Sequence, residues 1–268
     1  MEQLYVFGTG NAAVTRCYNT CFAIKDDEEY FMTDAGGGNE ILRILEDMDV
    51  PLHHIHHLFI THEHNDHILG VVWMVRMIAT AMLSGKYEGI LTIYCHHELI
   101  DTVKTLCRLT IQKKFCDLFD GRILFDEVTD GCTRTVLGHE VTFFDILSTK
   151  AKQFGFAFRL GNGRTLVCAG DEPINQNRAF YLENAHWLLT EAFCLYDDRD
   201  RFKPYEKHHS TVRDAAELAA KHQIPNLVLW HTEDKTLSTR KYNYTAEGLQ
   251  YFEGTLYVPD DREIIELS

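Results

Sequence analysis

An α/β (α+β) architecture, with a sheet-on-sheet core clad by helices, follows from three features of the chain: short runs of β-branched, apolar and aromatic residues, helical periodicities between some of them, and the order in which the two alternate. In chain order, Leu4 to Phe7, Thr20 to Ile24 and Tyr30 to Thr33 read as strands, followed by a helix over Asn39 to Met48. A strand at His57 to Ile60 precedes an apolar helix over Ile68 to Ser84. Ile90 to Tyr94 is a further strand, and Glu98 to Arg108 a further helix. Strand runs then recur at Val141 to Leu147, Phe154 to Leu160, Thr165 to Val167 and Trp187 to Thr190. A helix over Thr211 to His222 has a clear start: Thr211 caps it, Asp214 stands three positions on as a capping box requires, and an alanine-rich run follows. Leu227 to Trp230 and Thr255 to Val258 complete the strands. Hairpins at both ends, with strand and helix alternating elsewhere, imply a sheet-on-sheet core clad by helices.

The 268 residues, 45% of them hydrophobic, carry no Pro/Gly/Ser-rich linker, repeat or low-complexity tract, so residues 1–268 are expected to form a single domain. Met1 to Tyr5 lacks a secretory signal pattern, which predicts a cytoplasmic protein. The apolar stretch Ile68 to Leu83 is interrupted by Arg76 and falls short of the roughly 20 apolar residues needed to span a bilayer; no membrane partner is expected. Eight cysteines occur without a CxxC pair and read as reduced thiols, most of them core or half-buried, with Cys168 singled out because it lies three residues before a candidate ligand. A net charge of −14, with acidic clusters at 26–29 and 197–201, disfavours a long nucleic acid held through its phosphates.

The chemistry concentrates in Thr61-His62-Glu63-His64-Asn65-Asp66-His67, directly after the run Leu58-Phe59-Ile60. A strand stopping at Thr61 would place His62 and His64 on one side, because side chains two apart share a face, and the following turn would carry Asp66 and His67 to a neighbouring point. His62 with His64 can hold one divalent ion, and Asp66 with His67 can begin a second. The nearby His53, His54, His56 and His57 read as a solvated polar cluster. Three later residues stand at the ends of apolar runs: Asp171 after a Gly, suited to bridging two ions or to capping a turn; His231 after Leu227 to Trp230, a ligand or a hydrogen-bonded core histidine; and His209 beside the Thr211 cap, a proton donor. The helix start there also favours an anionic group nearby.

These residues resemble the metallo-β-lactamase superfamily, and within it the RNase Z-like branch. His62, His64, Asp66 and His67 match its HxHxDH motif, Asp171 its Gly-Asp motif, and His231 its terminal histidine. The segment His209-Ser210-Thr211 before an alanine-rich helix is similar to the stretch bearing that branch's extra catalytic histidine. The likeness covers Val6 to His231. It implies a four-layer αβ/βα sandwich, the metallo-β-lactamase fold, with two zinc ions, or manganese, held by His62, His64, Asp66, His67, Asp171 and His231. It also implies hydrolysis by a metal-acidified water that attacks phosphorus or a carbonyl, Asp66 orienting it and taking its proton while His209 protonates the leaving oxygen.

Two departures shape the functional expectation. The resemblance places a further histidine ligand at the end of the strand Val141 to Leu147, where this chain has Leu147; Asp145 shares that strand face and His139 is the nearest histidine. The Gly/Pro-rich basic arm with which RNase Z proteins hold tRNA has no room in Gly155 to Asp171 or Glu191 to His209. The leading expectation is therefore a metal-dependent phosphodiesterase on a small or short phosphodiester such as a cyclic nucleotide, as handled by bacterial and phage enzymes similar to this branch. Lys150, Lys152 and Lys207 are candidate phosphate contacts, and His96 and His97 candidate pocket residues. The alternatives are an RNA 3′-end endonuclease of RNase Z type, a lactone or thioester hydrolase, and an impaired binding or sensing relative. The proteins it resembles are often homodimers.

Overall fold

The structure, a computed structural model, describes residues 2–267. The chain divides into two compact units, each organised round one seven-stranded sheet. The first comprises residues 2–8, 18–129 and 262–267, the second residues 9–17 and 130–261.

The first unit opens with three antiparallel strands, β1 (Gln3–Gly8), β2 (Cys21–Asp26) and β3 (Glu29–Thr33). Asp27, at φ 49°, turns the chain tightly between β2 and β3. Three parallel strands follow, each reached by a helical crossover, as parallel pairing demands. Helix α1 (Glu40–Asp47) leads to β4 (Ile55–Phe59), α2 (Asn65–Leu83) to β5 (Leu91–Cys95), and α3 (His97–Thr110) with the single turn α4 (Lys113–Cys116) to β6 (Ile123–Glu127). Helix α2 buries Ile68, Val71, Met74, Val75, Ile78, Ala79 and Met82 on one helical stripe against Met32, Leu58, Ile60 and Ile93 of the sheet side. Its start is locked to the loop after β3: Gly70 N donates to Gly36 O at 2.8 Å, and a Cβ at Gly70 would stand 1.8 Å from Ala35 O.

The second unit begins with an antiparallel meander, β7 (Cys132–Val136), β8 (His139–Asp145), β9 (Phe154–Arg159) and β10 (Thr165–Cys168). Parallel strands continue it: β11 (Trp187–Glu191), then the single turn α5 (Arg199–Phe202) and α6 (Val212–Lys221), then β12 (Asn226–Trp230), α7 (Leu237–Gly248) and β13 (Thr255–Tyr257). Its core joins Val167, Leu188, Leu227 and Leu229 of the sheet to Val212, Ala215, Ala216 and Ala219 of α6 and Tyr244 of α7. The last strand, β14 (Ile264–Glu266), returns to the first unit and pairs antiparallel with β1.

The expected elements are present with shifts of one to three residues, but several were not anticipated. The hairpins of the second sheet lie mid-chain at β7 to β10, and its C-terminal strands are parallel, so hairpins at both ends is incorrect. The polar run Cys132-Thr133-Arg134-Thr135-Val136 is an edge strand, where alternate side chains face water and no apolar run is needed. Helix α7 lacks an apolar stripe; it is anchored by buried Arg240, whose guanidinium donates to Thr9 Oγ1 and Thr232 Oγ1 at 2.9 Å and to Pro259 O at 2.8 Å. The histidines expected to be solvated include two on β4: His56 Nδ1 lies 2.9 Å from Ile90 O, and His57 stacks on Tyr94 with Nδ1 2.9 Å from its hydroxyl. Burial lowers the His57 pKa to about 4. Helix α2 is long and apolar enough to cross a membrane, yet most of it is core. None of the eight cysteines, all among the described residues, is in a disulfide, and Cys168 is buried at the end of β10.

Candidate functional site

In the first unit the candidate ligands lie where β4 ends and α2 begins. Strand β4 stops at Phe59 rather than Thr61, and α2 starts at Asn65 rather than Ile68, so Asp66 and His67 sit on the first helical turn, with His67 N donating to His64 O at 3.0 Å. The negative charge of Asp66 is favourable there, at the positive end of the helix dipole. His62, Asp66 and His67 are buried and His64 partly so. His62 Nε2 and His64 Nδ1 converge to 2.8 Å, and the rings of His62 and His67 stand 4.2 Å apart.

Asp34 organises this cluster, and the sequence reading missed it. Held at φ 55° directly after β3, it accepts from Thr61 N at 2.8 Å, Thr61 Oγ1 at 2.7 Å and His67 Nδ1 at 2.7 Å. The Thr61 hydroxyl has one proton, and it goes to Asp34; the 2.9 Å contact with His62 Nδ1 therefore has the ring donating. That tautomer leaves the His62 Nε2 lone pair facing His64. His67 likewise donates from Nδ1, and its Nε2 lies 3.3 Å from Asp66 Oδ2. Burial opposes charge on His67, but Asp66 and Asp34 on either side of the ring outweigh it and push its pKa well above the ordinary value. A buried cluster of imidazole nitrogens and carboxylate oxygens, with tautomers set by outer hydrogen bonds, fits a divalent cation such as zinc. The one available signal was the Thr-Asp ending of an apolar run, Thr33-Asp34, mirrored later by Gly170-Asp171.

In the second unit, Asp171 follows Gly170, whose φ of 86° turns the chain after β10, and His231 follows β12 at φ 56°. Both are buried, with His231 Nε2 3.6 Å from Asp171 Oδ2. His209 joins them: its ring lies 5.3 Å from that of His231 and stacks on Phe193 at 5.0 Å. Beside it is Glu191, the last residue of β11 and fully buried, with Oε2 3.6 Å from His209 Nδ1 and Oε1 accepting from Ser210 N at 2.7 Å. The Glu191 to His209 separation is an ion-pair distance, longer than a hydrogen bond. Glu191 is the second residue not anticipated. The predicted Thr211 capping box is present, with Thr211 Oγ1 accepting from Asp214 N and Thr211 N donating to Asp214 Oδ2.

The remaining candidates make contacts of their own. Leu147 lies beyond β8, exposed at 37% and in the left-handed region at φ 60°, so it does not share a strand face with Asp145 as supposed. Asp145 Oδ1 instead accepts from Leu147 N at 2.8 Å. His139 opens β8, with its ring against Phe158. Lys150 is 3.4 Å from the Glu172 carboxylate, and Lys207 lies over the Phe193 ring at 4.8 Å. His96 is buried at the cap of α3, 4.0 Å from Glu63, while His97 turns to Glu127 at 3.0 Å on the surface.

The chain is 25% identical to Ribonuclease Z of Enterococcus faecalis, across 99% of this chain and 97% of that one. Among solved structures it is similar to the metallo-β-lactamase fold protein YhfI of Bacillus subtilis, with a TM-score of 0.79, 17% identity and 98% of each chain covered. It is also similar to human tRNase Z, short form, with a TM-score of 0.77, 19% identity and 99% of each chain covered. Fold and motif together define the class: a metallo-β-lactamase-fold hydrolase of the RNase Z-like branch, as the motifs had implied. Within that class the chain belongs to the family described as Anti-Pycsar protein Apyc1, whose profile it matches over residues 2–250.

Proposed function

We propose that the protein is a metal-dependent phosphodiesterase acting on a small or short phosphodiester, a cyclic nucleotide being the leading candidate. His62, His64, Asp66 and His67, with Asp171 and His231, are the proposed ligands of two divalent ions, zinc or manganese. Such ions supply a water acidified toward neutrality and a Lewis acid for the phosphoryl oxygens. Asp66 would be the residue to orient the attacking water and accept its proton. His209 donates a proton to the leaving oxygen, with the Glu191 carboxylate 3.6 Å from its Nδ1.

The observation that carries this reading is the His209–Glu191 pair beside His231 and Asp171, because an alkoxide leaving group needs a proton donor whereas the thiolate expelled from a thioester does not; a lactone also expels an alkoxide and is separated by assay. Substrate size follows from the connections. Gly155 to Asp171 is taken up by β9, a short turn closed by Leu160 N to Arg164 O at 2.8 Å, and β10, which supports a substrate held without a protruding arm. The net charge of −14 points the same way.

Likeness to the Enterococcus ribonuclease along nearly the whole chain favours one second reading, RNA 3′-end cleavage. Purified protein loaded with zinc or manganese should be assayed against 3′,5′-cyclic nucleotides, bis(p-nitrophenyl) phosphate, precursor tRNA, a lactone and a thioester. Cyclic nucleotide turnover without precursor cleavage is expected. Precursor cleavage in preference would move the assignment to the second reading, and activity on the lactone or thioester alone would remove both.

A further inference from the structure

The loop between β8 and β9 is tied to the neighbours of Asp171 and His209 by a single buried carboxylate and one side-chain contact. Its base is closed by Ile146 N donating to Gln153 O at 3.0 Å. Glu172, next to Asp171 and 5% exposed, spends both oxygens on the loop: Ser148 Oγ donates to Oε1 at 2.8 Å and Thr149 N to Oε2 at 3.4 Å. The Lys150 ammonium lies 3.4 Å from Oε1. On the other side Thr149 Oγ1 meets His208 Nδ1 at 2.9 Å, and His208 immediately precedes His209. Ser148 Oγ also accepts from Lys150 N at 3.2 Å, which curls the loop back on itself.

A buried carboxylate with loop donors as its partners is an ordering device, because removing it leaves those donors unpaired and the loop free to move. We infer that Glu172 is a positioning residue: it fixes the Ser148–Ala151 loop beside Asp171 and His209, so that Lys150 and Thr149 present a cation and a hydroxyl to the anionic phosphate of the substrate. Lys150 is thus pre-oriented rather than a freely solvated charge. This rests on the phosphodiester reading for its substrate, but not for the ordering itself.

The experiment compares wild type with Glu172→Ala and Glu172→Gln, all manganese-loaded. Hydrogen exchange at Thr149 to Ala151 should quicken about tenfold or more in Glu172→Ala, the loss of charge-assisted hydrogen bonds. Affinity for inorganic phosphate by calorimetry should fall by about the same factor, and KM for a cyclic nucleotide should rise with it while kcat stays within about threefold. Glu172→Gln keeps acceptor oxygen and should retain most of the exchange protection. Unchanged loop exchange would overturn the inference, as would quickened exchange with unaltered phosphate affinity, or a fall in kcat accompanied by metal loss. If wild type hydrolyses no phosphodiester, the functional reading fails by itself, while loop exchange and phosphate affinity still decide the role of Glu172.

Discussion

Glu191 Oε2 lies 3.6 Å from His209 Nδ1, in a carboxylate with no exposed surface. The His209 ring is also stacked on Phe193 at 5.0 Å and stands 5.3 Å from the ring of His231. His209→Ala should slow hydrolysis of a cyclic nucleotide about 10²–10⁴-fold, the usual weight of general acid catalysis. With bis(p-nitrophenyl) phosphate, whose leaving group needs little protonation, the loss should be far smaller, and metal content should be unchanged. Equal losses on both substrates would show that His209 is not the proton donor.

Asp34 accepts from Thr61 and His67 and thereby sets the tautomers of His62 and His67. Asp34→Ala should weaken metal binding about 10–100-fold, as outer partners of histidine ligands do. Competition against a chromophoric chelator measures this; unaltered affinity would remove Asp34 from the centre.

Leu147 occupies a left-handed backbone position, which histidine tolerates better than leucine. If the chain lacks one metal ligand there, Leu147→His should raise the bound metal per chain, read by elemental analysis, and increase turnover. Unchanged metal content would place the absent ligand elsewhere.

Asp234 is buried, which opposes its charge, but hydrogen bonds from Thr15 N at 2.6 Å and Arg16 N at 3.1 Å, with the Lys235 ammonium, lower its pKa to about 2. A carboxylate whose pKa falls on folding adds stability above its ordinary value near 4, and that stability is lost as pH drops toward 2. Asp234→Ala should cost about 1.5–3 kcal/mol at neutral pH. The gap in urea midpoint between wild type and variant should close between pH 4 and 2; a gap independent of pH would assign the effect to packing.

Gly70 admits no side chain, since a Cβ would meet Ala35 O at 1.8 Å. Gly70→Ala should therefore destabilise by about 3 kcal/mol or more, because the start of α2 must move off the β3 loop. Urea denaturation measures it, and a loss below about 1 kcal/mol would mean the loop yields easily.

Much of the architecture was legible because burial leaves a period. The α2 stripe from Ile68 to Met82, the apolar runs of β2 and β3, and the Thr211–Asp214 cap are local patterns with local causes. The HxHxDH run was legible for another reason: four metal-type donors in six positions leave few other uses. Polar β7 and α7 were not legible. The first is a half-solvated edge, and the second is held by Arg240, whose partners Thr9, Thr232 and Pro259 come from three separate loops that only folding brings together.

The order of residues alone therefore sufficed for the metal-type motif, the proton-donor candidate and the succession of strands and helices, because each is set by neighbours a few positions away. Folding in three dimensions chose Asp34 as the partner of Thr61 and His67, Glu191 as the partner of His209, and Glu172 as the anchor of the β8–β9 loop. An isolated acidic residue in a chain has no pattern that distinguishes it. Its role is assigned only when burial removes water and leaves one particular donor within reach.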